Sequence, residues 1–190
     1  HLNEPLAIQV LEQFSGVYLV DSSQISLPAS MADRFPGAGG NASPASLKIQ
    51  LVFDYLCGQL AQLELCSGRE PDQGYRGHWS IIRQGALLIM HLGYFALDTF
   101  KQISDHEGYF LSRFQAQTAL FTPSGQRLAL RPWLAAQTAH VSETDVLIGS
   151  RSQHQIPCRL IMLRLPQEVA DRQRQKAKEN AQRHGRQVTQ

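Results

Sequence analysis

Charge is scarce in this chain. Asp, Glu, Lys and Arg make up 18% of its 190 residues, while 43% are hydrophobic. The charged share is below the rough quarter of ordinary soluble domains, which excludes disorder throughout and leaves enough apolar mass for one substantial core with a smaller appendage. Cysteine is scarce as well: Cys57, Cys66 and Cys158. An odd number, with neither C-x-x-C nor His/Cys zinc spacing, excludes a disulfide framework and a zinc finger. With no signal peptide, reduced thiols in a cytosolic protein are expected. No apolar run approaches the roughly 20 residues that a membrane helix needs. A phosphate-cradling loop is also lacking, since GAGGN at 37–41 has no strand-to-helix context and no lysine. The chain opens at His1 without an initiator Met, and a fragment is expected.

What is present is a succession of short β-rich runs. GVYLVDSS (16–23) reads as a buried strand with a polar C-terminal end. Residues 33–46, rich in Gly, Pro and Ser, are loop. LKIQLVFDYL (47–56) and QLAQLELCSG (59–68) read as a hairpin turning at Cys57-Gly58. Residues 69–85 are polar and expected to be helical in their later part. ALLIMHLG (86–93) is the strongest buried-strand candidate. In ALDTFKQISDHE (96–107), Leu97, Phe100, Lys101 and Ile103 fall at spacings compatible with an amphipathic helix, stopped by Gly108. YFLSRFQ (109–115) reads as another strand.

From about 118 to 165 the texture becomes that of a β-rich insertion, with a hairpin signature at Pro123-Ser124-Gly125. After Pro166 comes a polar helix, closed by Gly185 and too poor in apolar residues to be stable alone. An antiparallel pair feeding parallel strands is the ribonuclease H-like order. The expected fold class is therefore α/β: a ribonuclease H-like mixed sheet with a β-rich insertion and a C-terminal basic helix. The expected divisions are a core over 1–117, the insertion over 118–165, and the basic helix over 166–190.

Charge is unevenly spread. Residues 159–190 hold eight Lys/Arg against three acids, a net +5, so the remainder carries −3 of the overall +2. A mildly acidic body with a basic tail suits a polyanion on one side.

Asp21 is the first chemical candidate. A carboxylate at the end of a core strand can coordinate Mg²⁺ with an open side for a phosphate, and two-metal phosphoryl transfer needs two or three such carboxylates converging. The plainer reading is that Asp21 caps the following turn, with Ser22 and Ser23 assisting.

Four blocks, in order, carry a resemblance: GVYLVDSSQISLP, LKIQLVFDYLCGQLAQLELCSGREPD, GALLIMHLGYFALDTFKQISDHEGYFLSRF and LPQEVADRQRQKAKENAQRHGRQVT. From about Phe14 onward the chain resembles the bacterial DDE transposases of the insertion-sequence-four type. The GYF block followed by a strand with Ser-Arg is the most specific part. The resemblance implies a ribonuclease H-like catalytic domain interrupted by a β-rich insertion. It implies cutting and joining of double-stranded DNA, at transposon ends and target, with Mg²⁺ (or Mn²⁺) held by two Asp and a Glu. It also implies a cytoplasmic, nucleoid-associated bacterial protein, homodimeric in the intact family, with no membrane role.

On that resemblance the first catalytic Asp corresponds to Asp21. The second Asp falls just before a Leu/Arg-Gly-Tyr-Phe element, where this chain has His91, one base from an Asp codon. The Glu belongs to a Tyr-x-x-Arg…Glu…Lys helix that no stretch of these 190 residues matches. Productive metal binding is therefore not expected here, because imidazole supplies no negative charge and Mg²⁺ favours hard oxygen ligands. The competing reading makes His91 a ligand for zinc or manganese. Arg113 matches a strand-end Arg of the family, as a DNA contact or as the partner of a carboxylate. Arg172, Arg174, Lys176 and Lys178 of the basic helix are the candidate phosphate contacts, against a solvated linker helix. Asp72 is read as a helix N-cap, Asp98 as part of a solvated first turn, His106-Glu107 as surface, and Trp79 and Trp133 as packing.

Overall fold

A computed structural model describes residues 9–39, 43–150 and 155–183. They fall into two compact units, one of the described residues up to 118 with 155–156, the other of 119–150 with 157–183.

The first unit is built on a five-stranded sheet. Its strands are β1 (Gly16–Leu27), β2 (Ala45–Asp54), β3 (Gln59–Ser67), β4 (Ala86–Met90) and β5 (Tyr109–Ser112), in the order β3-β2-β1-β4-β5. β1 pairs antiparallel with β2, and β2 with β3. β4 runs parallel to β1 on its other side, and β5 parallel to β4. This is the ribonuclease H-like mixed sheet that the pattern predicts. Gly58, at φ +66°, supplies the left-handed residue on which the β2–β3 hairpin turns.

One face of the sheet packs under helix α1 (Leu97–Asp105) and three short 3₁₀ turns, Asp72–Gly74, Gly77–Ile81 and Leu92–Tyr94. Val20, Val52, Leu88 and Met90 are buried there, with Phe100 and Ile103 of α1. Phe100 stacks on Phe110 at 4.3 Å between ring centroids and meets Phe95 edge-on at 4.9 Å.

Several boundaries differ from expectation. β1 runs on to Leu27 because β2 continues to pair with it, so Asp21 lies within the strand; it is the parallel pairing with β4 that ends at Val20. The helix expected late in 69–85 is replaced by two 3₁₀ turns. Behind α1, the left-handed position is taken by Glu107 (φ +54°), and the Gly108 N–H closes the end on the Ile103 carbonyl at 2.9 Å.

In the second unit, β6 (Leu120–Phe121), β7 (Val141–Ile148) and β8 (Ile156–Leu163) form a three-stranded sheet in that order. The turn after β6 places Gly125 at φ +82°, and Phe121 bridges to Arg127. A short helix α2 (Leu130–Ala136) interrupts this β-rich stretch, against expectation. Helix α3 (Gln167–Arg183) follows Pro166; Gly185, its expected stop, lies outside the described residues. Among the described residues no helix is long and apolar enough to cross a membrane.

Candidate active site

The site forms where β1 and β4 part company. Asp21 lies within β1 one residue beyond the last parallel pair, Val20 with Met90, and His91 directly follows β4. The register therefore sets the two side chains beside each other: His91 Nε2 lies 3.2 Å from Asp21 Oδ1. Both are open to solvent, with 45% and 69% of their side-chain surfaces exposed.

His91 caps the 3₁₀ turn Leu92–Tyr94, and its Nδ1 accepts the Gly93 N–H at 2.8 Å. That bond assigns the neutral tautomer: Nδ1 is the acceptor, so Nε2 carries the proton toward Asp21. The glycine is required by space. A Cβ at Gly93 would stand 2.3 Å from His91 Cε1 and 2.9 Å from Asp72 Oδ2.

Asp72 is the third member of the group, and its place corrects the sequence reading. Pro71, not Asp72, occupies the N-cap of the turn Asp72–Gly74, and no side chain caps it. The Asp72 carboxylate reaches across the sheet instead. Its Oδ1 accepts from Lys48 Nζ at 2.9 Å, Ser22 Oγ at 3.0 Å and Gln50 Nε2 at 3.2 Å. Its Oδ2 faces His91 Nε2 at 3.9 Å. Burial works to raise the Asp72 pKa, but the hydrogen bonds from Lys48 and Ser22, the Lys48 charge and the Gln50 amide outweigh it and hold the carboxyl below its ordinary value.

Lys48 is buried, and its ammonium also donates to the Glu70 carbonyl at 2.5 Å. Below it the Tyr94 hydroxyl donates to Gln50 Oε1, and burial raises the phenol well above its usual range. Sequence reasoning misses Lys48 and Gln50. Their signal is the period-two appearance of polar residues in LKIQLVF, on the strand face that turns inward.

The other candidates fall elsewhere. Asp98, in the first turn of α1, pairs with Arg76. Arg113 is exposed just past β5. Arg172, Arg174, Lys176 and Lys178 are exposed along α3, where Arg174 Nη1 is held by Asp171 at 2.7 Å. Trp79 packs, its indole N–H donating to Thr99 Oγ1 at 3.3 Å with the Arg76 guanidinium over the ring.

The donor set does not fit a pair of Mg²⁺ ions. Asp21 offers one carboxylate, His91 presents an N–H rather than a lone pair, and Oδ1 of Asp72 is occupied by three donors, one of them a cation. Among the described residues, no group of three or more His, Cys, Asp and Glu side chains is arranged to hold a metal ion.

Comparison with known proteins gives a consistent result. A family described as "Transposase DDE domain" matches residues 12–187. The transposase for insertion sequence element IS1151 of Clostridium perfringens is 28% identical over 176 aligned residues, 82% of this chain and 36% of that protein. The transposase for insertion sequence element IS231F of Bacillus thuringiensis subsp. israelensis is 30% identical over 114 residues, 60% of this chain and 24% of that protein. The chain thus spans about a third or less of the length of these relatives.

Proposed function

Since this chain belongs to the transposase DDE domain family, we propose that it is a segment of a DNA-transposing enzyme that engages duplex DNA but is silent in cutting and joining it. The observation that carries this reading is the contact of His91 with Asp21 at 3.2 Å. Family resemblance assigns a carboxylate to position 91, where it would share a divalent cation with Asp21. The neutral imidazole instead turns the positive end of its N–H dipole toward Asp21, where a cation would otherwise stand. Asp72 is likewise answered, by Lys48.

Mg²⁺ or Mn²⁺, bound by a complete set of three carboxylates, would stabilise the attacking and leaving oxygens of strand transfer. Of the two family positions that the resemblance places within these residues, one holds Asp21 and the other His91. The division of labour follows the family: 1–117 as the first part of the catalytic core, 118–165 as the insertion, and the basic helix as the lead to the Glu-bearing segment. The phosphate-facing groups are Arg172, Arg174, Lys176 and Lys178, with Arg113 beside the core. The working location is the bacterial nucleoid. The exposure of these cations also favours a second reading, a purely DNA-binding regulatory remnant, which predicts the same DNA affinity.

The test uses a supercoiled plasmid bearing the element's ends, with Mg²⁺ or Mn²⁺. No nicking is expected. Duplex affinity should fall when the four α3 cations become Gln, and the salt slope should shrink by about 0.9 for each phosphate that is no longer neutralised. Nicking that Asp21→Ala abolishes would overturn the silent-site reading. Unchanged duplex binding by the four-fold variant would overturn the DNA-binding role of α3.

A further inference from the structure

Residues 69–82 link β3 to β4 over the covered face of the sheet without any strand pairing of their own. Among the described residues, the main-chain hydrogen bonds of this stretch are all local: Glu70 N–H to Ser67, Gly74 to Pro71, Tyr75 to Asp72, Trp79 to Arg76 and Ile82 to Trp79. Side chains hold it down. Asp72 accepts from Lys48, Ser22 and Gln50. Gln73 Nε2 donates to the Phe95 carbonyl at 3.0 Å, Arg76 pairs with Asp98, Trp79 Nε1 donates to Thr99 Oγ1 at 3.3 Å, and Gln62 Nε2 donates to Ser80 Oγ. Of the stretch itself only Tyr75 and His78 are buried. A segment with few buried side chains and no ladder bonds opens locally, ahead of the sheet it lies on.

His78 makes the docking conditional. It is 1% exposed, set against the rings of Tyr75 at 5.4 Å and Tyr94 at 6.3 Å between centroids, and neither Nδ1 nor Nε2 has a hydrogen-bond partner. Two charged groups bear on it: Arg76 of the same stretch, which opposes a second positive charge, and Asp98 of α1, which favours one. These two pair with each other, so the Asp98 carboxylate is already answered. The phenols of Tyr75 and Tyr94 face it as neutral groups, their pKa values raised by burial. An imidazolium here would have neither counter-ion nor acceptor, and burying such a charge costs far more than burying the neutral ring. Docking and proton binding therefore oppose one another.

We propose that residues 69–82 form a strap that lifts from the sheet as one piece, and that proton uptake by His78 releases it. Lifting carries Asp72 away from His91 and leaves the Lys48 ammonium without its carboxylate, so the strap sets the charge at the strand ends. The proposal does not depend on the family reading.

The test is native-state hydrogen exchange of the full 190-residue chain, followed by NMR at pH 7 and pH 5 and corrected for intrinsic rates. The Tyr75 and Trp79 amides report the strap, and the Val52 amide of β2 reports the sheet. At both pH values the strap amides should have opening constants at least about tenfold above that of Val52. Burial lowers the His78 pKa to about 4, against about 6.5 for a released histidine, so strap opening should increase about 20-fold from pH 7 to pH 5. Asp72, held below its ordinary value, stays largely ionised over that range whether docked or released, and so does not supply the increase. His78→Phe should reduce the increase to less than about twofold. His78→Leu, equally unable to titrate, should do the same and guards against a fold disturbed by the larger ring. A native increase below about threefold, or an undiminished increase in both variants, would overturn the role of His78. Strap amides that exchange no faster than Val52 would overturn the strap itself, since the stretch would then come away only with the whole fold.

Discussion

Replacing His91 with Asp tests the charge logic of the site directly. In the native chain the imidazole N–H stands 3.2 Å from Asp21 Oδ1. His91→Asp would set a second carboxylate about 4 Å from the first, a repulsion of about 1 kcal/mol in water and about 4 kcal/mol at an effective dielectric of 20. Both positions are open to solvent, which places the cost near the lower figure. A divalent cation then has two carboxylates to bridge. At ten times its Kd, such a cation returns about 1.4 kcal/mol, or roughly 3–6 °C in melting temperature for a unit of this size. The assay is thermal unfolding in EDTA and in a Mn²⁺ or Mg²⁺ series, with Ca²⁺ as a size control. The native chain should show no metal-dependent shift. The variant should melt lower in EDTA and recover with Mn²⁺, yet still fail to nick plasmid, because the third carboxylate is not supplied. Equal stabilisation of both proteins by Mn²⁺, or none in the variant, would refute the argument that His91 stands where a cation would.

Two further perturbations address the buried groups beneath the site. Lys48→Met leaves the Asp72 carboxylate without its cation, and breaking such a pair should cost about 3 kcal/mol in urea unfolding at pH 7; the double variant Lys48→Met/Asp72→Asn should recover most of it, and a single-variant loss within about 1 kcal/mol would show that Ser22 and Gln50 suffice. His78 is fully buried with no partner on either ring nitrogen, and burial, helped by the Arg76 guanidinium, lowers its pKa to about 4. The unfolded chain therefore binds the extra proton first: this contribution to stability is complete well above pH 6.5 and is lost as pH falls toward 4, by about 2–3 kcal/mol at pH 4.5. His78→Phe should remove that share of the acid sensitivity, and identical pH profiles for variant and native chain would sink it.

Much of the fold is legible because it is written in short-range patterns. The runs VYLV and LLIM read as strands buried on both faces, and Cys57-Gly58 marks a turn that needs a left-handed residue. Asp21 and His91 stand out because each ends an apolar run, where a strand delivers a polar group to the sheet's edge. The errors also have local causes. The stretch from Arg69 to Gly85 carries enough polar residues to suggest a helix, yet Pro71, Gly74 and Gly77 break it into single 3₁₀ turns. Glu107 takes the left-handed position that Gly108 is expected to fill, because the Ile103 carbonyl needs the donor one residue further on.

The sequence by itself determined the strands and the family and singled out His91, since each depends on residues within a few positions of one another. Only the tertiary structure decided what surrounds that histidine. Ser22, Lys48 and Asp72 are separated by 26 and 24 residues along the chain, and they meet because the β1–β2 register places Lys48 and Gln50 on the inward face under the turn that bears Asp72. The same register lines up Leu60, Phe53, Leu19, Ile89 and Leu111 from β3 to β5 on the face opposite α1. Apolar periodicity can announce that a strand has two buried faces, but which of them finds its partner within the chain is settled by packing among elements far apart in sequence.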